Sequence, residues 1–102
     1  MRARHLLLLA VLFACSRRHT MTAEDCAAVL DRITDLELAE QGFRDPALAQ
    51  RRRLEVRARF AGDLAACEGR AAPAQVMTCV RAAHNAEEIS HRCLGRGPRW
   101  WP

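Results

Sequence analysis

The chain has no lysine and no tyrosine, only two serines, and no cysteines spaced as C-x-x-C. Each absence excludes something. All sixteen basic side chains are arginine, a bias that fits a GC-rich genome and carries no mechanism. The lack of tyrosine, beside abundant alanine and leucine, favours helix over sheet. Ser16 and Ser90 are the serines, and neither sits in a nucleophile elbow. Ser90 neighbours His91, but adjacent residues on a helix point apart. Glu87 and Glu88 read as helix-start charge rather than an acid/base pair. Without a C-x-x-C, the set Cys67, Cys79, His84, His91 and Cys93 matches no zinc spacing. No apolar run approaches the roughly 20 residues that a membrane span requires. The reading is therefore of a non-enzyme with no cofactor and no metal.

What is present begins at the N-terminus. Arg2, Arg4 and His5 precede an unbroken apolar run of eight residues, LLLLAVLF at 6–13. A positive start and a short apolar stretch fit a secretory signal, and the run lacks the polar face of a surface helix. It ends Leu12-Phe13-Ala14-Cys15, which resembles the lipobox of bacterial lipoproteins, where leucine, a small residue and Gly or Ala precede the lipidated cysteine. Leu12, Ala14 and Cys15 match, and Phe13 is bulkier than the residue usual at that position. The resemblance implies cleavage before Cys15, lipid on Cys15, and a membrane-anchored product facing the periplasm or the outside. Ordinary cleavage after Ser16 is the alternative and implies a soluble periplasmic or secreted chain.

Cysteine parity bears on the same point. The five cysteines are Cys15, Cys26, Cys67, Cys79 and Cys93, and an odd count is awkward in an exported chain. Lipid on Cys15 leaves four, enough for two bridges. Cleavage before Cys15 would leave 88 residues, with 14 arginines against 12 acids, a formal charge of +2. That balance asks for no nucleic-acid partner. A single domain of this size has a marginal core and gains from covalent staples.

The expected organisation is a signal peptide at 1–14, a polar tether at 15–21, a helical domain at 22–95 and a flexible tail at 96–102. In the tether, Arg17 and Arg18 would meet anionic head groups or stay solvated. Thr22 with Asp25 is a near capping box, and Cys26, Val29, Leu30, Ile33 and Leu36 form one apolar stripe, so a first helix is expected over 23–41. Asp45 as N-cap and Pro46 at N1 open a second, long helix over 46–68, with Leu54, Val56, Phe60, Ala61, Leu64 and Cys67 towards the core. Gly62 inside it would mark a close helix crossing. Pro73 would open a third helix, and Asn85 with Glu88 a fourth over 86–94. His84 and His91 are placed at helix ends on the surface. Gly97, Pro98 and Pro102 keep the tail from being helical, and Trp100 and Trp101 there would sit in a membrane interface, dock on a partner or fold back on the helices.

Charge relates the first two helices. Residues 22–42 carry six acids and one arginine, whereas 44–60 carry six arginines against Asp45 and Glu55. A short connection makes these helices antiparallel neighbours. The run Arg51-Arg52-Arg53 is then expected to face the acidic helix, with an acidic partner or membrane surface as the other use. No stacking aromatic neighbours the run, which argues against nucleic acid. The same hairpin puts Cys26 opposite about residue 61, some 8–9 Å short of Cys67 at 1.5 Å per residue, further than a bridge tolerates. Cys79 lies nearly opposite Cys93 around Asn85. Those two statements conflict, so Cys26–Cys67 with Cys79–Cys93, and Cys26–Cys93 with Cys67–Cys79, both stay open.

The segments LDRITDLELAEQGFRDPAL and CVRAAHNAEEISHRCL, and the step of 11 residues between Cys67 and Cys79, resemble small exported helical proteins of the myxobacterial type, many of them lipoproteins. The resemblance implies such a source and brings no activity with it. A mitochondrial twin-cysteine hairpin fits worse, since the gaps here are 40, 11 and 13 residues. The expected fold is all-α: a small helical bundle, with a long antiparallel helix pair plus two short helices, stapled by disulfides. The expected function is a non-catalytic cell-envelope lipoprotein that binds or scaffolds, partnered by the membrane through its lipid and by an unidentified protein. A soluble chaperone- or inhibitor-like helical protein is the alternative.

Overall fold

A computed structural model describes residues 17–95 and 101–102. The leader, Cys15 and Trp100 lie outside the described residues.

Helix α1 spans Ala23–Glu40 and starts where the sequence places it. The Thr22 hydroxyl accepts from the Asp25 N–H at 3.0 Å, and the Asp25 carboxylate accepts from the Thr22 N–H at 3.1 Å. That reciprocal pair is a capping box with aspartate in place of the usual glutamate. The helix stops in a Schellman arrangement: the Gly42 N–H donates to Ala39 O and the Phe43 N–H to Leu38 O. Gly42 sits at φ 85°, a left-handed conformation glycine adopts without Cβ strain. Asp45 then caps α2, Pro46–Arg59, accepting from the Ala47 N–H at 3.0 Å with Pro46 in the first turn.

The single long helix expected over 46–68 is two. The chain leaves helical geometry at Phe60 (φ −102°, ψ 24°) and resumes as α3, Ala61–Cys67. Gly62, a poor helix former, lies just beyond the break. A side chain added there would meet nothing within 4 Å, so Gly62 marks no close helix crossing.

The segment read as a tether is folded from Arg18. Strand β1, Arg18–Thr20, pairs antiparallel with β2, Ala71–Pro73, in the register Arg18 with Pro73, His19 with Ala72 and Thr20 with Ala71. Pro73 therefore closes a strand instead of opening a helix; in a two-stranded ribbon its missing N–H is tolerated. Met21, the apolar residue after β1, is 1% exposed. Its N–H donates to Arg70 O at 2.9 Å, and its carbonyl accepts from the Gly69 N–H at 2.8 Å.

Helix α4 is Val76–Ala82. Helix α5, Ala86–Glu88, runs directly into a π-helical turn at Ile89–Leu94. Asn85 caps it, accepting from the Glu88 N–H at 2.8 Å. The Glu88 carboxylate reaches one residue past the expected capping partner and accepts from the His84 N–H at 3.1 Å.

The architecture is a small, mainly helical bundle stapled by two disulfides, with α1 and α2 as its antiparallel pair. Its core gathers Met21, Cys26, Val29, Leu36, Cys67, Ala72, Val76, Val80, Ala83, Ile89 and Cys93. The buried polar residue in it, Thr34, donates its hydroxyl to Leu30 O at 2.9 Å. Helix α2 contributes no buried residue. Leu54 and Phe60, expected towards the core, are 56% and 41% exposed. Trp101 packs against the core cluster from outside.

The cysteines pair as Cys26–Cys67 and Cys79–Cys93, with Cα separations of 6.1 and 5.6 Å. The axial offset that counted against Cys26–Cys67 presumed one straight helix, and the break at Phe60 removes that premise. Disulfides are compatible with an extracytoplasmic location. Among the described residues, no helix is long and apolar enough to cross a membrane.

The loops closed by the two bridges differ, with sequence separations of 41 and 14. Chain-entropy scaling gives about 4 kcal/mol for the longer and about 3 kcal/mol for the shorter. Replacing Cys26 and Cys67 together by alanine should thus lower stability more than replacing Cys79 and Cys93, by about 1 kcal/mol in urea unfolding. Equal losses, or a larger loss for the local bridge, would contradict this ordering.

Candidate functional site

The seam between α1 and α2 is ionic. Arg53 donates from Nε to Asp35 Oδ1 and from Nη2 to Asp35 Oδ2, both at 2.7 Å. One helical turn on, Arg57 grips Asp31 in the same two-pronged way, with Nε to Oδ1 at 2.8 Å. Forked pairs of this kind fix orientation as well as distance. The hydrogen bonds that Arg53 donates to Asp35 raise its pKa further above its already high value, and those that Arg57 donates to Asp31 do the same for Arg57. Of the three arginines singled out in the sequence, only Arg53 faces the acidic helix. Arg52 pairs with Glu55 on its own helix at 3.2 Å. Arg51 is exposed and makes no ion pair with the described residues.

Beside this seam a groove of about 300 Å³ opens between α1 and α4. Its floor is apolar, from Met77 and the buried Val80, and its rim carries the exposed Ala28 with Asp31, Asp35 and Arg53 together with Arg32 and Arg81. With Asp31 and Asp35 already held by Arg57 and Arg53, the remaining charge on the rim is positive. Arg32 Nη2 donates to Ala83 O at 2.8 Å, while its Nε is buried without a hydrogen-bond partner. A buried donor left unpaired costs about 1–3 kcal/mol. Arg81 is exposed in the last turn of α4. The groove offers cationic donors above an apolar floor, suited to an acidic group with an apolar neighbour.

A second hollow of about 200 Å³ flanks the Cys79–Cys93 bridge, with His84, Glu88 and Arg92 on its wall. The hydrogen bond from the His84 backbone lowers the Glu88 pKa against a small opposing effect of burial. His84 and His91 are exposed, as expected, and lie 3.6 Å from Glu88 and 3.8 Å from Glu87. Cys93 is bonded to Cys79, so its sulfur is not a thiolate beside His91. Among the described residues, no three His, Cys, Asp or Glu side chains are arranged to hold a metal ion.

At the other end of α1, His19 Nε2 lies 2.7 Å from Asp25 Oδ2 and clasps β1 to the helix start. Burial pushes the Asp25 carboxyl up, but the hydrogen bonds from His19 and Thr22 outweigh it and leave the pKa below its ordinary value.

The sequence reading missed Arg32, Arg81 and His19. Arg32 had one signal, as the sole base among the six acids of the first helix. Arg81 had none, because its neighbours come from a distant chain segment. The partner of His19, Asp25, is only six residues on, but His19 is held there by a strand that pairs with Ala71–Pro73. No protein-family model, curated protein or solved structure matches this chain.

Two outcomes follow from these contacts. In a double-mutant cycle on Arg57 and Asp31, the partly exposed pair should couple by about 0.5–1 kcal/mol. The coupling should shrink in about 1 M salt, where the Debye length is about 3 Å; coupling unchanged by salt would point to packing instead. The Asp25 carboxyl, with its pKa lowered on folding, contributes stability that is full above the unfolded pKa and lost as pH falls through the folded one. Asp25→Asn should therefore flatten the acid limb of a thermal-stability profile below about pH 5. An acid limb identical to that of the parent chain would refute the role given to this clasp.

Proposed function

We propose that this chain is a non-catalytic lipoprotein of a bacterial cell envelope, processed before Cys15 and lipidated on it, whose stapled helical body acts as a binding or structural module. One observation carries the reading. Cys26, Cys67, Cys79 and Cys93 are consumed in bridges with one another. Cys15, at the end of the apolar leader run, is the one cysteine of this sequence outside those bridges. Lipidation accounts for that odd cysteine and for its position at once. The bridges themselves fit the oxidising side of a membrane. The lipobox resemblance at Leu12, Ala14 and Cys15 supports the same reading, as does the likeness to small exported proteins of the myxobacterial type. For binding, the Arg32–Arg81 groove is the feature best suited to receive an acidic segment of a protein partner.

The soluble reading, a chaperone- or inhibitor-like protein, draws on exposed apolar side chains. Phe43, Leu54 and Phe60 are such residues, but they are spread from one end of α2 to the other instead of forming one patch. It predicts an unlipidated mature chain that binds unfolded protein.

The decisive experiment is intact mass of the mature protein from its native host, with membrane fractionation of Cys15→Ser beside it. The expected result is an acylated Cys15 and release of the variant from membranes. An unmodified N-terminus beyond Cys15, or a variant that stays membrane-bound, would overturn the lipid anchor.

A further inference from the structure

A lipid anchor and a folded body are usually separated by a flexible linker, and here there is almost none. Only Ser16 and Arg17 stand between Cys15 and the first residue of β1. Three Cα steps of about 3.8 Å bring Arg18 within about 11 Å of Cys15 at full stretch. Arg18 is not loose chain. It pairs with Pro73, and the residues after it are fastened in succession: His19 to Asp25 at 2.7 Å, Met21 to Gly69 and Arg70 by backbone hydrogen bonds, and Cys26 to Cys67 covalently. Met21 is buried in the core, so β1 cannot peel away to lengthen the linker without exposing it.

We infer that the body is seated on the bilayer surface by the edge where β1 begins, with Arg17, Arg18 and the adjoining turn at 74–75 against anionic lipid head groups. The inference rests on the lipoprotein reading above and adds to it the face that meets the membrane. Two features of the edge favour this seat. Arg17 and Arg18 are exposed and cationic, which suits an anionic leaflet. Ala74 and Gln75 beside them are exposed and uncharged, so nothing acidic in that turn repels the surface. The acids of α1 disfavour the helix itself as the contact, since Glu24, Glu37 and Glu40 are all exposed. The rival seat is the outer side of α2, where Arg51 and Leu54 are exposed.

The test uses the full precursor, lipidated in a bacterial host and reconstituted into phosphatidylcholine/phosphatidylglycerol vesicles doped with a doxyl-labelled lipid. Trp100 and Trp101 are replaced by phenylalanine, and one new tryptophan is introduced as Gln75→Trp or Leu54→Trp. Gln75 makes no side-chain capping bond, so that site accepts the change. The expected result is greater loss of Gln75→Trp emission than of Leu54→Trp emission. Adding Arg17→Glu and Arg18→Glu should reduce that loss in the anionic vesicles and leave it unchanged in pure phosphatidylcholine. Equal or greater quenching of Leu54→Trp overturns the proposed seat. Should the tryptophan variants fold poorly, hydrogen exchange of the unaltered lipidated protein decides: amides at 74–75 slow on vesicles relative to detergent if the seat is right, and are unchanged if it is wrong. The mass spectrum of the same sample separates the two levels. An acylated Cys15 without contact at 74–75 removes this inference alone, whereas an unacylated chain removes the lipoprotein reading with it.

Discussion

The bond between Cys26 and Cys67 joins the first turn of α1 to the last residue of α3, and much of the body depends on it. It closes the long loop that contains the α1–α2 hairpin, and it fixes the point from which the chain enters β2. With that point fixed, Gly69 and Arg70 lie beside Met21, and β2 lies beside β1. A three-residue ribbon has little stability of its own. It persists here because its neighbours are held by a covalent bond and by the burial of Met21 and Ala72.

A second constraint divides the molecule by the kind of force that holds it. Around the disulfides, α1 packs against α4 and α5, and the π-helical turn packs against α4, over one cluster of buried apolar side chains. On its other side, α1 meets α2 through Asp31, Asp35, Arg53 and Arg57. A pair of partly exposed ion pairs is worth far less than an apolar seam of equal length. Helix α2 is thus the less firmly held arm. The Arg32–Arg81 groove lies between the two regimes, with an apolar floor from one and a charged rim from the other.

Much of this was legible in the residues. The Thr22–Asp25 box, the Asp45-Pro46 start and the Asn85 cap are local chemistry, readable from a few neighbours, and each stands where it was expected. The charge contrast between 22–42 and 44–60 foretold an ionic helix pair, and the ion pairs are there. It did not foretell that α2 buries no residue fully, with Leu48 and Val56 only half-buried. The apolar positions of that stretch, such as Leu54 and Phe60, follow a helical period whether or not a core lies opposite them. For the same reason the groove was not legible: Arg32 and Arg81 are 49 residues apart, and only packing of α4 on α1 brings them to one rim.

By itself, then, the sequence determined the helical class, the caps that open α1, α2 and α5 and the sign of the charge on each arm, because these follow from interactions within a few residues. It also supplied four cysteines able to pair, while leaving two pairings open. Tertiary structure alone decided between them. The helix breaks at Phe60, so the register of one straight helix does not apply, and Cys67 lies with its Cα 6.1 Å from that of Cys26. Tertiary structure likewise turned Arg18–Thr20 from apparent linker into strand, because the partner strand begins some fifty residues downstream. No local pattern encodes a pairing of that range.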